Sequence, residues 1–198
     1  MEVLGVTYDS KMTFRTHIER LAREASGKLA SLRRMSWLLD GRGLEVLYKS
    51  QIRSSLEYAC LAWGGAAHRH LAHLNRVQDR AERLIRSSST AWDPQLQPLQ
   101  HRRDVAGLTV MFQVQQLRQP HLQELYQQRR RNLVTTRAVV SAPEQLLQPR
   151  SRTWHYQRQF LYTYVGLWNT LLASQQNLER VTLQGFKECA HQWLMAGR

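Results

Sequence analysis

The chain has 198 residues, with 28 Lys+Arg against 15 Asp+Glu and a formal net charge of +13, and arginine supplies 24 of the basic side chains. That length suits one domain or one plus a smaller appendage, and 42% hydrophobic with 9% aromatic residues argues for a packed core rather than disorder. Two cysteines, Cys60 and Cys189, cannot build a disulfide scaffold, and Met1 to Ser10 lacks the basic and apolar regions of a signal peptide.

In chain order, Val3-Leu4-Gly5-Val6-Thr7-Tyr8 is β-rich and meets a turn signal at Asp9-Ser10, which predicts one short strand within residues 1–12. No partner strand lies nearby, and a lone strand is not stable by itself. From Thr13 to Leu39 the period is helical: Ile18, Leu21, Ala25, Leu29, Leu32 and Leu39 share about a quarter of the helical wheel, with Arg20, Arg23 and Arg34 opposite. Thr16 and Glu19 have capping-box spacing, and Asp40-Gly41-Arg42-Gly43 is expected to stop the helix.

A second helix is predicted from Leu44 to Trp63, closed by Gly64-Gly65. A third, His68 to Ser87, should bury Leu71, Leu74, Val77, Ala81, Leu84 and Ile85, with Arg69, Arg76, Arg80 and Arg83 on its far face. Residues 13–90 thus read as a three-helix bundle. Ser87 to Pro98 reads as a linker because of Pro94 and Pro98. A fourth helix, Leu99 to Leu117, opens with His101-Arg102-Arg103 and closes before Pro120.

A basic loop over residues 127–153 follows, holding Arg129-Arg130-Arg131 with Pro143 and Pro149. Two further helices, Tyr156 to Leu172 and Thr182 to Met195, complete a smaller helical region over residues 91–198. The uncharged stretch Gln159 to Leu178 contains Asn169, Ser174, Gln175 and Gln176, so its apolar part falls short of the roughly 18–20 residues that span a bilayer. The expected class is mainly α, a helical bundle with a short N-terminal strand. The expected setting is intracellular, nuclear or cytoplasmic, without a membrane.

Arginine favours bidentate contacts to phosphate, and two helical arginine stripes with few compensating acids fit that chemistry better than a merely solvated face. The candidate nucleic-acid contacts are Arg20, Arg23, Arg34, Arg76, Arg80, Arg83, Arg102, Arg103, Arg129, Arg130 and Arg131. Such binding would be independent of base sequence and would fall with salt.

Other constellations carry less. His68, His70 and His73 are dense but have no Cys or carboxylate at ligand spacing, so they read as exposed side chains on a first turn. Cys60 and Cys189 sit among apolar neighbours and read as buried thiols. No Gly-rich phosphate loop follows a strand, and no nucleophilic triad can be argued from spacing. Asp9, Asp40, Asp79, Asp93 and Asp104 are scattered, whereas a two-metal polymerase or nuclease site needs converging carboxylates. Trp154, Tyr156, Phe160, Tyr162, Tyr164 and Trp168 are able to stack on bases, yet the spacing of Phe160, Tyr164 and Trp168 favours core packing. No catalytic, metal or cofactor site is expected.

Val3-Leu4-Gly5-Val6-Thr7-Tyr8-Asp9 with Thr13-Phe14 and His17-Ile18 resembles a segment late in the reverse transcriptase of non-LTR (LINE-type, jockey-like) retrotransposons. Leu47-Tyr48-Lys49, Leu56-Glu57-Tyr58-Ala59 with Trp63, Arg76-Val77-Gln78 with Leu84-Ile85, and Leu167-Trp168-Asn169 with Phe186-Lys187 are similar to later signatures of that family, in the same order. The resemblance implies that residues 1–12 end a palm, residues 13–90 form a thumb, and the remainder is the segment beyond it. A thumb grips the template–primer backbone, so RNA or an RNA–DNA hybrid is the implied partner. The fingers, most of the palm and its paired aspartates have no match here, and Leu172 stands where the family usually has proline. The expectation is a non-catalytic nucleic-acid-binding fragment of an RNA-directed DNA polymerase. The alternatives are a helical module that docks a protein partner at the N-terminal strand, and a decayed element without selected activity.

Overall fold

The structure, a computed structural model, describes residues 1–88, 92–117, 119–128, 145–174 and 181–197. It is mainly α and divides into two compact units, Met1–Leu99 and Gln100–Arg198.

The first unit opens with β1 (Glu2–Val3) and β2 (Val6–Thr7), paired antiparallel with Glu2 opposite Thr7 and Val3 opposite Val6. The run expected to be one strand is therefore a hairpin. Leu4 and Gly5 lie at φ 48° and 79°, the left-handed pair that a two-residue turn of matching twist requires, and Gly5 takes this conformation without a Cβ penalty. Beyond the hairpin, the Asp9 carboxylate accepts from the backbone N–H of Lys11, Thr13 and Phe14 and from the Thr13 hydroxyl. These bonds, led by the Thr13 N–H, outweigh desolvation and hold the Asp9 carboxyl below its usual range.

Helix α1 spans Arg15–Arg34 and buries His17, Ile18, Ala25, Leu29 and Leu32. It starts one residue before the expected cap at Thr16, because Phe14 sits in the left-handed region and Glu19 is drawn to Arg15 Nε at 2.8 Å. A 3₁₀ turn, Ser36–Leu38, follows. The Asp40-Gly41-Arg42-Gly43 run does not merely stop a helix; it starts the next. Asp40 accepts from the Gly43 N–H at 2.7 Å as N-cap of α2 (Gly41–Leu47).

The predicted second helix is broken into α2, a π-helical segment Tyr48–Arg53, α3 (Ser54–Glu57) and α4 (Cys60–Trp63). The interruption before α4 falls at Ala59, held at φ 49°. There the chain turns so that buried Trp63 donates from Nε1 to Tyr58 O at 3.1 Å and faces His17, ring centres 5.9 Å apart. Helix α5 (His68–Ser88) places Leu71, Leu74, Val77, Ala81 and Ile85 against α1 and the broken helix. His70 is buried too, contrary to the expectation of an exposed first turn, and among the described residues no group of three ligand-type side chains is placed to hold a metal.

The predicted linker begins inside α5, which runs on to Ser88, and residues 92–98 have no regular secondary structure but are pinned to this core. Trp92 Nε1 donates to Glu45 Oε2 at 2.7 Å, and Glu45 also pairs with Lys49. Burial raises the Glu45 pKa, but Lys49, Trp92 and the Gln95 backbone together outweigh it and leave the carboxyl below its usual value.

The second unit contains most of α6 (Leu99–Gln115), a 3₁₀ stretch Pro120–Leu125, α7 (Trp154–Gln157), α8 (Phe160–Ser174) and α9 (Leu183–Ala196). Its core stacks Phe112 on Phe186 at 4.4 Å between ring centres, with Trp168 beside Phe186 at 5.7 Å. Gly107 lies directly under the Tyr164 ring, where a Cβ would overlap it, and Tyr164 donates to Arg103 O at 3.1 Å. Asn169 holds Leu146 through both backbone groups, at 2.8 and 3.0 Å. The flanks of the predicted basic loop meet where the Leu147 N–H donates to Gln128 O at 2.9 Å. Among the described residues, no helix is long and apolar enough to cross a membrane.

Candidate nucleic-acid interface

Helices α1 and α5 run side by side in the same direction, since Glu19 lies near His70 and His73 while Ser26 meets Arg80 further on. Between their C-terminal halves is an open groove of about 540 Å³. Helix α1 supplies Ser26, Leu29, Ala30 and Arg33, and α5 supplies Arg80, Arg83, Leu84 and Ser87. Both sets follow the spacing i, i+3, i+4, i+7, so each is one stripe on one helical face. The leucines and Ala30 supply the apolar part of the lining, and the arginines and serines the polar part.

Two of the three guanidinium groups, those of Arg80 and Arg83, are held in place by the helices themselves. Arg80 donates from Nη2 to Ser26 Oγ at 2.9 Å and from Nε to Arg76 O at 3.2 Å. Arg83 donates from Nε to Asp79 O at 3.2 Å. Ser26 in turn donates to Ala22 O at 2.7 Å, so its oxygen is oriented to receive Arg80. Among the described residues, no acidic side chain lines the groove. Three cations sharing one concavity without a carboxylate create a field that an anion with several oxygens would relieve.

The expected contact residues are distributed unevenly. Arg80 and Arg83 line the groove, and Arg76 lies one turn upstream on α5, exposed. Arg23 and Arg34 are exposed on α1. Arg20 is committed to the hairpin: Nη2 donates to Gly5 O at 2.9 Å and lies 3.6 Å from Glu2, while Nη1 pairs with Glu24 at 3.4 Å.

Arg102 is half-buried in the second unit. Arg103 departs from the expectation, being 2% exposed with Nε and Nη2 donating to Gln100 Oε1 at 3.3 and 3.1 Å. The reason is that the opening of α6 packs inward, so a basic dipeptide that looks like surface supplies a core side chain. Arg129, Arg130 and Arg131 lie outside the described residues.

The sequence pattern overlooked Arg33, Ser26 and Ser87. Arg33 follows Ser26 by seven residues on the stripe that also carries Leu29, and this spacing was the available signal. What spacing does not contain is the neighbour: the stripe acquires meaning only when α5 presents its own beside it.

Comparison with known proteins adds two relatives. The chain is 37% identical over 95 residues, 45% of its length, to the RNA-directed DNA polymerase from mobile element jockey of Drosophila melanogaster. It is 30% identical over 88 residues, 41% of its length, to the probable RNA-directed DNA polymerase from transposon X-element of the same organism. The matches span about a tenth of each relative, 10% and 9%. No family model matches the chain, and no solved structure matches it significantly. A little under half of the chain is thus similar in sequence to RNA-directed DNA polymerases of mobile elements.

Proposed function

We propose that the first unit is a thumb-like grip for a nucleic-acid backbone, acting within a retrotransposon-type RNA-directed DNA polymerase and performing no nucleotide addition itself. The observation that carries this reading is the α1–α5 groove, which Arg33, Arg80 and Arg83 line with no acid beside them among the described residues. The polymerase relatives support nucleic acid as the polyanion. The contacts are to phosphate, without base readout, and template–primer duplex of RNA and DNA is the favoured ligand. The aspartates favour a role without catalysis. Asp9 and Asp40 are occupied in capping turns, and Asp93 lies 3.5 Å from Arg86.

A second reading has one observation behind it: the hairpin tip is apolar and open, with Leu4 83% exposed and Val3 exposed beside it. That surface suits a protein partner.

The test is titration of a labelled RNA–DNA hybrid at low and rising salt with the wild-type chain and the Arg33→Ala/Arg80→Ala/Arg83→Ala variant. Binding should weaken steeply with salt, and removing three phosphate contacts should lower the slope of log K against log salt by about 3. No binding at low salt, or an unchanged slope in the variant, sinks the proposal. A salt-insensitive oligomer lost on Leu4→Ser would favour the protein partner.

A further inference from the structure

Large apolar side chains left in water are informative when they cluster, and the 3₁₀ turn after α1 gathers three: Met35 at 46%, Trp37 at 80% and Leu38 at 60% exposure. The turn is rigid. Leu38 N–H donates to Met35 O at 3.0 Å, Leu39 N–H to Ser36 O at 3.3 Å, and Ser36 Oγ to Arg33 O at 2.8 Å. This last bond ties the turn to the residue that forms one wall of the arginine groove. Exposed Arg33, Arg34 and Arg42 bracket the turn in sequence, and none of them makes an ion pair among the described residues.

We infer that Trp37 is a stacking platform for an unpaired nucleobase at the end of a strand whose phosphates lie in the Arg33–Arg80–Arg83 groove. The inference rests on the backbone-grip reading and deepens it by naming the ligand as a duplex with a single-stranded extension. The chemistry of the patch selects this occupant. A flat π surface bracketed by unpaired cations fits a ligand that is itself a flat ring on an anionic tether. An apolar protein helix would leave the arginines without partners. An anionic lipid surface offers both apolar and negative groups, but it cannot enter a concave groove between two helices. With the backbone of the turn already held by hydrogen bonds, only the Trp37 side chain is left to order when a base lands on it.

The experiment uses the full chain as wild type, Trp37→Ala and Trp37→Phe. Each is titrated with a blunt RNA–DNA hybrid and with the same hybrid carrying a short overhang that contains 2-aminopurine. Stacking quenches that base, so the wild type should quench it and Trp37→Ala should not. Trp37→Ala should bind the overhang substrate about tenfold more weakly, with blunt-hybrid affinity unchanged and Trp37→Phe restoring most of the loss. Equal losses on both substrates, or none on either, overturn the platform while leaving the backbone grip standing. Failure of the wild type to bind either hybrid at low salt removes both readings. Loss of phosphatidylserine-vesicle binding or of self-association in Trp37→Ala, without an overhang effect, would assign the patch to another occupant and overturn the inference.

Discussion

Ser26 on α1 receives the Arg80 guanidinium of α5 at 2.9 Å, while its own hydroxyl hydrogen is spent on Ala22 O at 2.7 Å. One serine therefore fixes the direction of a cation on a neighbouring helix. Ser26→Ala should leave the fold intact, costing within about 1 kcal/mol because the bond is exposed and Arg80 can turn to water. It should nonetheless weaken binding of an RNA–DNA hybrid about two- to fivefold, since the guanidinium must then be ordered by the ligand. Anisotropy titration beside a urea melt checks this. A large loss of stability would show that Ser26 serves folding and not positioning.

Gly107 has no room for a side chain, because the ring of Tyr164 occupies the place of its Cβ. Gly107→Ala should force Tyr164 out of its buried position and break its bond to Arg103 O, costing about 2–4 kcal/mol from overpacking plus the lost hydrogen bond. Adding Tyr164→Leu should make the pair markedly less destabilised than the sum of the two single changes. Strict additivity in denaturation midpoints would contradict the contact.

The hairpin is docked through a histidine. The Thr7 N–H donates to His17 Nδ1 at 3.3 Å, which requires that nitrogen to be unprotonated. Burial first, then the nearby charge of Arg20, pushes the His17 pKa below its ordinary 6.5. His70 shifts in the same direction, through burial and then Arg69 and Arg15. A depressed histidine contributes stability that is present above the unfolded pKa and is lost as pH falls through the folded one. Stability should therefore decline below about pH 6.5, first by loosening residues 1–8. His17→Gln keeps an acceptor but cannot titrate, so its urea midpoint should vary less with pH than that of the wild type. Identical profiles would exclude His17 as a source of the dependence.

Ala59 turns the chain between α3 and α4 at φ 49° and ψ 26°. A left-handed alanine costs about 1–2 kcal/mol, of which glycine gives back part against its greater freedom when unfolded. Ala59→Gly should raise stability by about 0.5–1 kcal/mol, measured as a higher urea midpoint at unchanged slope. A lower midpoint would mean that Ala59 is not held in that conformation.

The α5 helix was legible in the sequence almost to the residue, because 21 residues with one apolar stripe obey a period that needs no outside partner to be recognised. The mainly-α class and the presence of α1 were legible for the same reason, while α6 and α9 were expected by their bounds, within two residues of where they lie. The hairpin was not. Its signal is two residues of backbone conformation at Leu4 and Gly5, which a run of β-formers hides. Nor was the break at Ala59, since alanine is the best helix former and the turn goes with the seat of Trp63 against His17 and Tyr58 O.

The same division runs through the candidate site. Sequence alone determined the charge of +13, the preference for arginine and the stripes that place arginine at helical intervals. These are properties of one chain segment at a time. Tertiary structure decided which arginines share a space: it set Arg33 opposite Arg80 and Arg83, tied Arg20 to the hairpin, and buried Arg103. A helical period states which side chains share a face, but the neighbour of that face is chosen by packing among residues far apart in the chain.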